Sequence, residues 1–142
     1  LTPQMKAAIS EQDREIYEVM ILASIVQQES QSESEMKAVA GVFTNRLRIG
    51  MALQSDATVN YATGKSLRQP TADDITVQSP YNTYINKGLP PGPICNPGIA
   101  AIEAAIWPDQ SDYFYFLHPL NSPAVFSKTL DEHNKNKAKY LK

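Results

Sequence analysis

Apolar residues recur at helical spacing along this chain, and in one stretch they run nearly all the way round. From Ile21 to Val26 only Ser24 interrupts the apolar run, which then ends in Gln27-Gln28-Glu29-Ser30. A helix of that kind is buried on all sides. Glu29 lies seven residues after Leu22 and four after Ile25, so the three share one face. The polar run Gln31–Ser34 predicts that the helix stops just beyond Glu29, delivering a carboxylate to the edge of the core. A carboxylate in a last helical turn meets the negative end of the helix dipole, and partial burial also disfavours its charge. Both effects raise its pKa, as a general acid requires.

Further elements flank this helix. Thr2-Pro3 reads as an N-cap followed by Pro at the first helical position, opening a short helix through Met5, Ala8 and Ile9 that turns near Ser10. Ser32 and Glu35 have the spacing of a capping box. Met36, Val39, Ala40, Phe43 and Leu47 follow at helical spacing up to Gly50, a C-terminal cap. The Glu29 helix and this one are predicted to form a hairpin across a short polar link. Met51 to Thr58 reads as extended or turn-rich, and Thr71–Asp74 as a brief helical turn. Five prolines between Pro80 and Pro97 exclude a helix or a central strand from that stretch. A loop of such length in a compact domain is commonly functional.

Asn96-Pro97 reads as the cap of a helix through Ile99, Ile102, Ile106 and Trp107, limited by Pro108. Tyr113–Leu117 and Ala124–Ser127 are rich in β-formers and predict a strand pair around the loop from Pro119 to Pro123. Thr129 with Glu132 caps a polar last helix through Lys139. The expected fold class is α+β: a helical hairpin and further helices packed with a small antiparallel sheet.

Composition narrows the chemistry. A chain of 142 residues suits one domain, here residues 1–142, with one sizeable core. A formal net charge of −2 without basic clusters argues against nucleic acid as a partner. The single Cys95 has no internal disulfide partner. No apolar run reaches the ~18 residues of a membrane span. The chain begins at Leu1 rather than Met, from which a fragment of a longer protein is expected, with any anchor or targeting signal outside it. His118 and His133 lack a zinc-site spacing and read as a strand-end and a helix-surface residue. There is no G-x-S-x-G element, no base paired with Cys95 and no phosphate-binding glycine loop. Among familiar catalytic groups, carboxylates remain.

At Ala23-Ser24-Ile25-Val26-Gln27-Gln28-Glu29-Ser30 the chain resembles the active-site helix of the endolytic murein transglycosylases, the YceG-like family. The likeness continues through Val39–Leu47, Gly50–Asp56, Ser79–Tyr84, Gly88–Ile94, Asn96–Gly98, Phe126–Leu130 and Glu132–Asn134, in family order. The Gln-Glu-Ser tripeptide also resembles the active-site helix of lysozyme-like soluble transglycosylases. Two departures stand out: Gln27 where relatives often carry Glu, and Ala124 where a His commonly precedes Val-Phe-Ser.

By that resemblance Glu29 is the catalytic acid, and then base, of a peptidoglycan lytic transglycosylase that leaves 1,6-anhydro-N-acetylmuramic acid ends. Gln54, Asp56, Tyr81, Asn82, Tyr84 and Asn96 are candidate glycan contacts, since amides and hydroxyls suit sugar substituents and Tyr rings stack on sugar faces. Each has a scaffolding alternative: Asn82 in a turn, Asn96 and Asp56 as helix caps. Asn45 and Arg46 are expected to hold the hairpin to the loops. Helices should form one side of the cleft and the Pro-rich loop another, with the sheet as support. No metal or organic cofactor is implied. The implied partners are glycan strands, with wall-synthesis or division proteins as further candidates. The implied place of work is the extracytoplasmic face of a bacterial cytoplasmic membrane, with the anchor outside this chain. Two other activities fit the same residues: a muramidase in which Asp56 activates water, and a non-catalytic glycan-binding scaffold.

Overall fold

The computed structural model describes residues 1–141. Six α-helices run in the order α1 (Pro3–Glu11), α2 (Ile16–Glu29), α3 (Glu33–Ile49), α4 (Asp56–Thr63), α5 (Ile99–Ile106) and α6 (Leu130–Tyr140). A single 3-10 turn covers Asp74–Thr76, and two short strands, β1 (Tyr115–Leu117) and β2 (Val125–Ser127), lie between α5 and α6. The class is α+β. The strands pair antiparallel, with Tyr115 opposite Ser127 and Leu117 opposite Val125.

Helix α2 is the centre of the core, as its composition requires. Val19 and every residue from Ile21 to Val26 are buried, against α1, α3, α4 and α5. Two polar residues of its second half are used to dock the Pro-rich loop. Ser24 Oγ donates to Ile21 O and accepts from the Ile94 amide at 3.0 Å, and Gln27 Oε1 accepts from the Gly98 amide at 2.9 Å. That second bond explains where α5 begins. Asn96 is not the cap; Gly98 holds that position, because the backbone is drawn onto Gln27 before it turns helical.

Helices α2 and α3 form the expected pair across Ser30–Ser32, but the capping box does not close. Ser32 Oγ bonds Ser34 Oγ instead, and Glu35 reaches outward to the Gln31 amide and to His118. Gly50 takes the left-handed C-cap conformation at φ 73°. Asn45 and Arg46 do tie α3 to the loops: Asn45 Nδ2 donates to Ser111 O and Tyr113 O, and Arg46 donates to Phe114 O, Ala52 O and Leu53 O.

The stretch after α3 departs from expectation. Met51–Ser55 is extended, but Asp56 starts a helix, with Ser55 as its N-cap and Gly64 as its left-handed end. The pair of signals was present, Ser before an acidic residue and Gly nine positions on, within a segment short of periodic apolar positions.

Candidate active site

Glu29 is the last residue of α2, and its carboxyl meets the start of α4. Ser55 Oγ donates to Glu29 Oε2 at 2.6 Å, and the Ala57 amide bonds the same carboxylate. Burial pushes the Glu29 pKa from its ordinary 4.5 up to about 7. The Ser55 bond pulls it back, the neighbouring Asp56 charge adds to the rise, and the Ala57 amide and the Arg46 charge oppose it. The carboxyl therefore holds its proton near neutrality, yet has two donors ready for the anion once that proton leaves. Ser55 is itself fixed from behind. Its amide donates to Thr83 Oγ1 at 2.8 Å, and Thr58 Oγ1 donates to its carbonyl at 2.8 Å.

Around Glu29 opens a cleft of about 980 Å³. That is at the large end of small-molecule sites, about 300–1,000 Å³, as an extended ligand requires. Of the residues named from the sequence, Glu29, Gln54, Asp56 and Tyr84 line it together. Tyr84 donates its hydroxyl to Asp56 Oδ1, and burial is the main cause that raises the pKa of both groups. Gln54 is exposed at the rim with a left-handed backbone, φ 51°, and its amide donates to Thr83 O. A side chain is uncommon in that conformation away from functional sites.

Three named residues are placed otherwise. Asn82 is fully buried: Nδ2 donates to Ile75 O and Val77 O, and Oδ1 accepts from the Tyr84 amide. Its polar groups build the turn that presents Tyr84, and the residue is outside the cleft lining. Tyr81 packs its ring on Tyr61, centroids 4.8 Å apart, and of the two only Tyr61 lines the cleft. Asn96 is exposed and outside the cleft lining.

The facing wall comes from residues that the sequence put elsewhere. The strand pair is more than support: Tyr115–Leu117 and His118 line the cleft, followed by Leu130, His133 and Lys137 of α6. The Pro-rich segment contributes Tyr84 and Ile94. Arg46 stands over the Tyr115 ring, 5.0 Å from its centroid, and the His133 ring stacks on Tyr115 at 5.1 Å. His133 is thus a cleft residue whose pKa is lowered, first by burial and then by Lys137 and Arg46. His118 follows β1 as expected and pairs with Glu35, Nε2 to Oε2 2.8 Å. Arg68 Nη2 donates to His118 O at 3.1 Å, joining the segment after α4 to the end of β1.

A half-buried acid in a long cleft, with donors placed for its anion, suits acid–base chemistry. Residues 1–139 match the family model described as the YceG-like family. The chain belongs to that family. Its YceG-like fold is shared with a crystal structure of a yceG-like protein from Listeria monocytogenes, at TM-score 0.87 and 44% identity, covering 94% of this chain and 43% of that one. The chain is 46% identical over 126 residues to the endolytic murein transglycosylase of Bacillus subtilis strain 168, covering 89% of this chain and 35% of that protein. It is 36% identical over 141 residues to the protein of the same name from Streptococcus pneumoniae serotype 2 strain D39, covering 95% of this chain and 26% of the relative. The chain therefore spans about a third or less of the length of these relatives.

Proposed function

We propose that this chain cuts peptidoglycan glycan strands internally as a lytic transglycosylase, with Glu29 as the only acid–base group. The observation that carries this reading is the Glu29 carboxyl, held at a pKa of about 7 in the cleft with Ser55 and Ala57 as donors to its anion. The names of the relatives support the substrate class. Protonated Glu29 gives its proton to the oxygen linking N-acetylmuramic acid to the following N-acetylglucosamine. As that bond breaks, C1 of the muramic sugar gains oxocarbenium character. The Glu29 carboxylate, stabilised by Ser55 and Ala57, then takes the proton of the same sugar's C6 hydroxyl while that oxygen bonds to C1. The product is a 1,6-anhydro end, no water is consumed, and Glu29 is protonated again. Peptidoglycan lies outside the cytoplasmic membrane, so the site works there. No described helix is long and apolar enough to cross a membrane.

Asp56 beside Glu29 favours one competing reading, hydrolysis, in which it would activate water as the second carboxylate. The Tyr84 hydroxyl occupies Oδ1 and works against the rise in pKa that burial causes, and on both counts Asp56 is a poorer base. Digestion of purified glycan strands, with mass analysis of the new ends, separates the two. Transglycosylation leaves ends lighter by one water than hydrolysis does. Glu29→Gln should lose about 10²–10⁴-fold in rate while still binding strands. Cleavage by Glu29→Gln at the wild-type rate overturns the assignment, and reducing ends from wild type overturn the reaction.

A further inference from the structure

We propose that Arg46, His133 and Lys137 form a carboxylate-binding subsite of the cleft, which takes the acidic group carried on O3 of N-acetylmuramic acid. The identity of that ligand rests on the glycan-strand reading above.

Arg46 is only 7% exposed, and its contacts among the described residues are three backbone carbonyls and the Tyr115 ring. Nε and Nη1 make those hydrogen bonds; Nη2 makes none, although the residue lines the cleft. A tie between carbonyls needs donors but not a full positive charge, and a buried guanidinium without a counter-ion is costly. Glu29, the acid whose charge Arg46 feels, holds its own proton near neutrality. The resting site therefore neutralises this buried cation only in part. A guanidinium is suited to a planar carboxylate.

Tyr115 carries the arrangement across to α6. His133 stacks on the same ring, and its Nδ1 is sealed from solvent with no partner. A sealed nitrogen without an acceptor costs least when it carries no proton, so the neutral ring keeps its N–H at Nε2 as a donor. Lys137 lies one turn further on the same face of α6 and also lines the cleft. It makes no ion pair among the described residues, whereas Lys135 is taken by Asp131 at 3.2 Å. Two unpaired cations and a neutral donor thus share one wall of a chain whose formal net charge is −2. Asp56 faces the same space with Oδ1 held by the Tyr84 hydroxyl, and its charge is close enough to feel Lys137, so it competes with the ligand for that cation.

Two carboxylates fit this chemistry: the free lactyl group of a peptide-free strand, and the acidic groups of a stem peptide attached through it. The test is binding, so it is independent of whether the strand is cut. Dissociation constants are measured by calorimetry for the 142-residue chain carrying Glu29→Gln. The ligands are peptide-free strands, peptide-bearing strands, and each after carbodiimide conversion of its carboxylates to amides. At least one untreated strand should bind about ten-fold tighter than its amidated form, and the preference should shrink as salt rises. The pair that shows the preference identifies which carboxylate is held. Lys137→Gln, a change on an exposed helix surface, should cut the ratio at least three-fold, and Lys137→Glu should abolish it. Ratios near one for both pairs, or a ratio unchanged by Lys137→Glu, overturn the subsite. Failure of wild type to cut strands that it binds with this preference counts against the proposed reaction and leaves the subsite standing.

Discussion

A carboxyl that titrates near pH 7 sets the stability of the folded chain against its chemistry. Folded protein holds the Glu29 proton with a pKa of about 7, while the unfolded chain releases it near 4.5. Between those values the folded state binds more protons than the unfolded one, so stability falls as pH rises. The full difference corresponds to about 3 kcal/mol. Glu29→Gln stays neutral throughout. Urea unfolding should therefore find it more stable than wild type above pH 7, by up to about 3 kcal/mol, with the gap closing toward pH 4.5. An equal gap at both ends would mean that burial is not what holds the proton. Ser55 acts on the same group from the other side, since its hydroxyl lowers the Glu29 pKa. On the proposed reaction, Ser55→Ala should move the high-pH fall in cleavage rate further upward, because the acid keeps its proton longer. It should also slow the maximal rate by about ten-fold as the carboxyl loses an orienting partner. The place of Glu29 at the end of a buried helix was legible from its spacing to Leu22 and Ile25. Ser55 was not, because its role depends on α4 turning its cap toward α2. For Asn82 the sequence left contact and turn both open, since an amide that suits a sugar suits three backbone groups equally well.

Helix ends show where local pattern decides and where distant contacts override it. Thr2 and Thr129 both accept from the amide three residues on, at 3.1 Å, as their sequences predict. Ser32 has the same pattern and makes no such bond, because Glu35 is recruited by His118 from 83 residues away. Thr129→Ala should cost about 1 kcal/mol, read as a loss of α6 helicity. Ser32→Ala should stay within about 0.5 kcal/mol of wild type. Comparable costs for the two would show that the Ser32 hydroxyl caps α3 in solution. The same contest of ranges explains the start of α5, where Gln27 displaced Asn96 as the organiser of the cap. It also explains α4, whose cap signals were sound but whose few apolar positions gave no period to count.

At the scale of the whole molecule, the acid and its facing wall come from opposite ends of the chain. The core around α2 was legible because buried helices announce themselves by composition. The cleft was not, since Glu29, Arg46, Asp56, Tyr84, Tyr115 and His133 converge only through the packing of separate elements. The two sides are also held very differently. Helix α2 has seven buried residues, whereas α6 has none and rests on the strand pair by half-covered contacts. Amide hydrogens of α6 should accordingly exchange through local opening, and those of α2 only when the chain unfolds altogether. Matching protection in the two helices would contradict this. On the proposed function, a strand cut far from its tips cannot thread lengthwise into the cleft and has to be laid in from the flank. The helix α6, which buries no residue, is then the side that can give way, while Glu29 stays at the end of the buried helix α2.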